Sequence, residues 1–279
     1  MRKAVLAVAL TAALSTAAPA LAADPDLGDG RQGLKVTGLT SDQLLVQFRT
    51  SRPGSVTSIG TVTGLQGDTA LVGIDYRVQN GLLYGVGNAG GVYTIDTSNA
   101  VATKVSQLSI ALQGAFFGVD FNPAADRLRI ISDTGQNLRH NVNVAIGGTV
   151  PDTDLTNPPA VGPALGVTGA AYTNNDLDTA TATSLFDIDT TNDRVSLQSP
   201  ANSGTLAPTG SLGVDAGPSA GFDIYFSSKV ASNRGFAALA TNGSYRFYEV
   251  NPLTGAATDA GAFPSNRQVF DVALPLNQW

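Results

Sequence analysis

Four aspartates recur in one short motif, and carboxylates so repeated can bind a cation, share protons, or act as acid and base on a substrate. The motif runs small residue, apolar residue, aspartate, apolar residue. It reads Gly73-Ile74-Asp75-Tyr76, Gly118-Val119-Asp120-Phe121, Gly221-Phe222-Asp223-Ile224 and Val269-Phe270-Asp271-Val272. A further copy, Gly169-Ala170-Ala171-Tyr172, lacks the acid. Successive third positions lie 45, 51, 52 and 48 residues apart. A second set, Arg127, Arg129 and Arg139, could form a small basic site for a carboxylate or sulfate, since the planar guanidinium binds such anions in a two-pronged fashion.

Other chemistries lack their residues. There is no cysteine and a single histidine, His140, so thiol catalysis, disulfide frameworks and zinc fingers are out. A lone histidine is more often packed or exposed than catalytic, and no serine sits in a G-x-S-x-G elbow. The formal charge is −6, which argues against nucleic acid as a partner because phosphate contacts need a basic surface. Asp187-x-Asp189, Asp176-x-Asp178, Asp152-x-Asp154 and Asp24-x-Asp26 space two acids by two, but none continues into a calcium-loop pattern, and solvated turns account for most of them.

The elements that must position the aspartates are strands. Short β-type runs separated by Gly, Asn, Asp and Pro fill the chain, and no window shows a 3.6-residue apolar period. A second recurring piece follows the first: Val92-Tyr-Thr-Ile-Asp-Thr, Leu185-Phe-Asp-Ile-Asp-Thr and Phe247-Tyr-Glu-Val-Asn-Pro each close a strand in a polar turn. The copy around Leu138 to Asn143 is degraded.

The last motif, Gln268 to Leu274, has no partner strands after it. The N-terminal stretch supplies them: Leu34–Asp42, Leu44–Thr50 and Val56–Val62 read as a second, third and fourth strand. A circular array closes in this way, with no open sheet edge at the seam. The expected fold is all-β, a five-bladed β-propeller whose C-terminal strand pairs with N-terminal strands. Each blade takes about 49 residues. Residues 143–166 and 173–183 depart from the repeat.

In such a ring the aspartates sit on the innermost strands at one height. Carboxylates about 7 Å apart repel by roughly 0.6 kcal/mol in a water-like medium, or about 2.4 at an effective dielectric near 20. Three arrangements offset this. Calcium could be held by Asp75, Asp120, Asp223 and Asp271; some carboxyls could keep a proton; or each could accept backbone N–H groups from the next blade. If the protein is an enzyme, Asp75 and Asp120 from adjacent blades are the candidate acid and base of a glycoside hydrolase.

The address is legible separately. Arg2 and Lys3, an apolar stretch, and Ala20-Leu21-Ala22 form the three parts of a secretory signal, so residues 1–22 are expected to be removed and 23–279 to form one propeller domain. The stretch is too short to span a bilayer and no later segment is apolar enough. Alternation back from Trp279 gives no lipid-facing stripe, against an outer-membrane barrel. The expected product is exported, periplasmic or extracellular.

The block Phe121-Asn-Pro-Ala-Ala-Asp-Arg-Leu-Arg129 with Ser132-Asp-Thr-Gly-Gln-Asn-Leu-Arg139 resembles an exported bacterial family, domain of unknown function 4394. The Gly-Val-Asp-Phe lead-in, Leu83-Tyr-Gly-Val-Gly87 and the run from Val167 to Asn175 fit as well. The resemblance covers nearly all of the expected mature chain and brings no catalytic set with it. The block also has a structural reading, in which Asn122-Pro123 starts a turn and Asp126 pairs with Arg127. The functional expectation is a binding or scaffold module for a glycan, a peptide or an envelope protein, with sugar hydrolysis as the alternative.

Overall fold

The computed structural model describes residues 33–145, 147–178 and 180–278. The expected signal segment and Trp279 lie outside the described residues. The strands are β1 (Lys35–Thr40), β2 (Leu44–Arg49), β3 (Arg52–Thr61), β4 (Leu71–Tyr76), β5 (Leu83–Gly87), β6 (Gly91–Ile95) and β7 (Ala102–Gln107). They continue with β8 (Phe117–Asn122), β9 (Arg127–Ser132), β10 (Asn137–His140), β11 (Thr149–Pro151), β12 (Val167–Tyr172), β13 (Leu185–Asp189) and β14 (Arg194–Gln198). The last six are β15 (Leu206–Ser211), β16 (Ala220–Ser227), β17 (Ser232–Thr241), β18 (Ser244–Val250), β19 (Ala257–Ala262) and β20 (Val269–Ala273).

They form five four-stranded antiparallel sheets, the blades of a propeller. Blades one to four are the consecutive runs β4–β7, β8–β11, β12–β15 and β16–β19. The fifth is ordered β20-β1-β2-β3, with Thr37 opposite Ala273 and Leu39 opposite Asp271. Gln278 clips this seam: its Oε1 accepts from Lys35 N at 2.6 Å and its Nε2 donates to Lys35 O at 3.0 Å. The motif aspartates thus lie on β4, β8, β16 and β20, the strands nearest the axis.

Local chemistry explains the strand roles. Inner strands are buried on both faces, so they read as small and apolar. The outermost strands carry Thr, Ser, Lys and Asp, and prolines sit there too: Pro53 on β3, Pro151 on β11 and Pro208 on β15. Proline has no N–H for a ladder and is tolerated where that side of the strand faces outward. The β17–β18 hairpin turns through Asn242 and Gly243, both at positive φ, as a two-residue turn compatible with strand twist requires.

The core lies between blades. Phe48, Phe236, Phe247 and Phe263 knit blades four and five, with Phe48 edge-on to Phe247 at 5.0 Å and Phe236 stacked on it at 5.7 Å. Tyr84, Phe121, Leu128 and Ile130 join blades one and two.

Two departures from the repeat acquire explanations. The 143–166 stretch contains the second blade's short outer strand β11, and 173–183 is the loop between β12 and β13. His140, at the end of β10, is fully buried between Ser106 Oγ of the first blade at 2.8 Å and Thr149 Oγ1 at 3.0 Å. Burial lowers its pKa to about 4. A depressed value stabilises the fold above the unfolded value of about 6.5 and loses that contribution as pH falls through the folded one. Wild type should therefore lose about 3 kcal/mol more than His140→Gln between those limits. Urea titrations across that range compare the two slopes; coincident slopes would refute the assignment, and the aspartates cancel in the difference.

Candidate functional site

Each motif aspartate reaches across to the next blade. Phe121 N donates to Asp75 Oδ2 at 2.7 Å, Tyr172 N to Asp120 Oδ1 at 3.0 Å, Leu274 N to Asp223 Oδ2 at 2.5 Å, and Ile74 N to Asp271 Oδ2 at 2.7 Å. Four of the five blade junctions carry this link. At the junction of blades three and four the equivalent residue is Ala171, which has no carboxylate to offer. The strands come this close because of glycine: a Cβ on Gly118 would lie 2.7 Å from Ala170 N and 2.9 Å from Gly169 C.

Three of the four also converge on the axis. Asp75, Asp120 and Asp223 each place a carboxylate oxygen within 4.8 Å of the other two. All three are buried, Asp120 to 1% exposure. Asp120 Oδ2 and Asp223 Oδ1 have no hydrogen-bond partner. Burial first, then the charge of Asp223, drives the Asp75 carboxyl well above the ordinary range; burial and the charges of Asp75 and Asp223 do the same to Asp120. Burial raises Asp223 to about 7, against the Leu274 and Ile224 N–H groups. Burial also raises Asp271, whose carboxylate is otherwise occupied by the Ile74 and Val272 N–H groups. Such a cluster can hold a cation or retain protons. Asp75 and Asp120, the residues named for hydrolysis, are turned toward neighbouring backbone.

The arginines separate. Arg129 is buried and donates from Nη1 to Asp152 Oδ2 at 2.7 Å and Asn137 Oδ1 at 2.6 Å. Its Nη2 donates to Asn202 Oδ1 at 2.8 Å and its Nε to Tyr172 Oη at 3.3 Å. Arg139 Nε donates to the other oxygen of Asp152 at 2.8 Å, so the two arginines share one carboxylate. Arg127 stands apart and donates to the carbonyls of Ala125 and Asp126. Asp126 does not pair with Arg127; it forms a two-pronged pair with Arg77 of the first blade, at 2.7 and 2.5 Å.

Asp176 and Asp178 occupy the loop between β12 and β13, in keeping with solvated turns, and Asp24 and Asp26 lie outside the described residues; Asp152, Asp187 and Asp189 differ from that expectation. Asp152 is the buried clamp just described, and Asp187 and Asp189 lie fully buried on β13. Asp189 pairs with Arg194 at 3.0 Å, whereas neither oxygen of Asp187 has a hydrogen-bond partner and burial drives its pKa well up. Asp152 and Arg77 had no repeating signal in the sequence, because each acts at one blade junction only.

At the end of the axis where β4, β8 and β16 begin, a cavity of about 230 Å³ opens. Its lining includes Phe116, Phe117, Phe270, Tyr245, Leu71 and Ser41. No helix among the described residues is long and apolar enough to cross a membrane.

Among solved structures, a protein of unknown function from Bacteroides thetaiotaomicron is similar at 12% identity, over 88% of this chain and 65% of that one, with a TM-score of 0.47. An auxiliary nutrient binding protein from Bacteroides ovatus aligns at 12% identity over 71% of this chain and 55% of its own, TM-score 0.42. YCF48 bound to D1 peptide aligns at 14% over 77% and 60%, TM-score 0.39. The chain spans less than two thirds of the length of each. No curated protein matches the sequence. The model of one family, the domain of unknown function 4394, matches residues 44–273, from β2 through β20, and the chain belongs to that family.

Proposed function

We propose that this protein is an exported binding or scaffold module that takes its ligand at the aromatic mouth of the propeller axis. The observation that carries the reading is the cavity lined by Phe116, Phe117, Phe270 and Tyr245 above a ring of carboxylates that face backbone rather than solvent. Flat apolar side chains with a few hydroxyls suit a sugar ring or a peptide side chain, and about 230 Å³ admits one such group. The ligand is thus a glycan, a peptide or an envelope protein presenting one protruding group. Export rests on the charged, apolar and small-residue segments of residues 1–22.

Hydrolysis of sugars by Asp75 and Asp120 is the competing proposal. It requires a glycosidic oxygen to reach carboxyls that are 4% and 1% exposed. Glycan and peptide arrays probed with the secreted protein and with Phe117→Ala decide between them. The expected result is a retained ligand whose affinity falls about tenfold in the variant while its melting temperature holds. Unchanged affinity would move the site elsewhere. Cleavage of an array glycan that Asp75→Asn abolishes would establish the hydrolase instead.

A further inference from the structure

We propose that the propeller axis holds one calcium ion, ligated by Asp75, Asp120 and Asp223 and not by Asp271. Asp75 and Asp120 come from the adjacent first and second blades, but Asp223 comes from the fourth, adjacent to neither, so its approach to within 4.8 Å of both is a convergence across the axis. Asp271 has the same motif position but is not a member of the group.

Each ligating carboxylate divides its work. Asp75 Oδ2, Asp120 Oδ1 and Asp223 Oδ2 accept the backbone N–H of the next blade. The other oxygens of Asp120 and Asp223 are buried with no hydrogen-bond partner. A buried carboxylate oxygen without a partner is costly, and two in one cluster need a positive charge or protons. Among the described residues no Lys, Arg or His bonds any of the three; Arg129, opposite Asp120 in the β8–β9 ladder, is engaged by Asp152, Asn137, Asn202 and Tyr172.

Ion size follows from the spacing. Calcium–oxygen distances of about 2.3–2.6 Å let ligand oxygens on one ion lie up to about 5 Å apart. Magnesium, at about 2.0–2.1 Å, holds opposite oxygens only about 4.2 Å apart and demands near-octahedral order. Carboxylate oxygens that all lie within 4.8 Å of one another fall inside the span calcium's ligands cover, and three carboxylates on separate strands suit its tolerance of irregular geometry. The inference stands whether or not the mouth binds a ligand.

The test uses the full secreted chain, dialysed against chelator and then titrated with calcium or magnesium. Atomic emission should count one calcium per chain. Calcium at roughly 100 times its Kd should raise the melting temperature by about 5–10 °C, with magnesium at equal concentration giving less than half of that. Terbium luminescence excited through tyrosine should appear on loading, as Tyr76 adjoins Asp75. Asp120→Asn and Asp223→Asn keep an oxygen for the backbone N–H but should weaken calcium at least tenfold, whereas Asp271→Asn should leave stoichiometry and affinity unchanged. Wild-type protein that retains no calcium and melts alike with and without it would overturn the proposal, leaving three carboxyls held neutral by protons. An equal response to magnesium, or loss of binding in Asp271→Asn, would overturn the ion or the ligand set.

Discussion

Arg129→Met should lower the unfolding free energy by about 3–5 kcal/mol, the range for removing one partner of a buried ion pair. The guanidinium lies between the second and third blades and satisfies Asp152, Asn137, Asn202 and Tyr172 at once. Methionine fills similar volume, so lost packing contributes little. What remains is Asp152, buried with only the half-exposed Arg139 beside it, and two asparagine oxygens stripped of a donor. Urea unfolding followed by far-ultraviolet circular dichroism measures the loss. The double substitution Arg129→Met with Asp152→Leu should recover part of it, because the uncompensated carboxylate is gone. A single variant within 1 kcal/mol of wild type would mean that Arg139 alone neutralises Asp152.

The second large effect comes from a missing side chain. In Gly118→Ala the new Cβ would meet Ala170 N at 2.7 Å and Gly169 C at 2.9 Å, both backbone atoms of the third blade's inner strand. Backbone cannot rotate away as a flexible side chain can, so β8 and β12 must separate. That separation also stretches the bond from Tyr172 N to Asp120 two residues along β8. Overpacking of this kind costs about 1–3 kcal/mol, and loss of the charged hydrogen bond adds about 1.5–3. Gly54→Ala on β3 is the control: its Cβ would lie 3.6 Å from Ala262 O, an ordinary contact. A melting temperature for Gly118→Ala equal to that of Gly54→Ala would show that the inner strands are looser than drawn.

The ring of blades was legible because it repeats. A motif recurring at similar spacing reports every blade at once, and the orphaned strand at Val269–Ala273 revealed the seam. The bonds of the aspartates to neighbouring backbone follow from the same alternation, since an inner-strand side chain faces the adjacent blade. What repetition could not disclose was asymmetry. Asp271 obeys the motif yet stays outside the axial group, and Asp223 joins it from a blade adjacent to neither of the other two. Asp152 and Asp187 resembled turn acids because a two-residue acid spacing has the same appearance in a solvated loop and in a buried strand. Asp152 is held by Arg129 on β9, 23 residues away, a pairing that the local acid spacing does not show. Arg77 and Asp126, 49 residues apart, likewise meet only after the blades are assembled.

The closure of the fifth blade sets the order in which the molecule can become whole. Four blades are built from consecutive strands, so each can form locally while its neighbours are still unstructured. The fifth joins groups 243 residues apart, as at Lys35 and Gln278, and its hydrogen bonds become available only after the intervening chain has condensed. Until then β1 and β20 present unpaired edges, the kind on which another chain can add. That interval is when a holding chaperone or a protease has its opportunity. The seam, rather than any single blade, is therefore where the kinetic fate of each new molecule is decided.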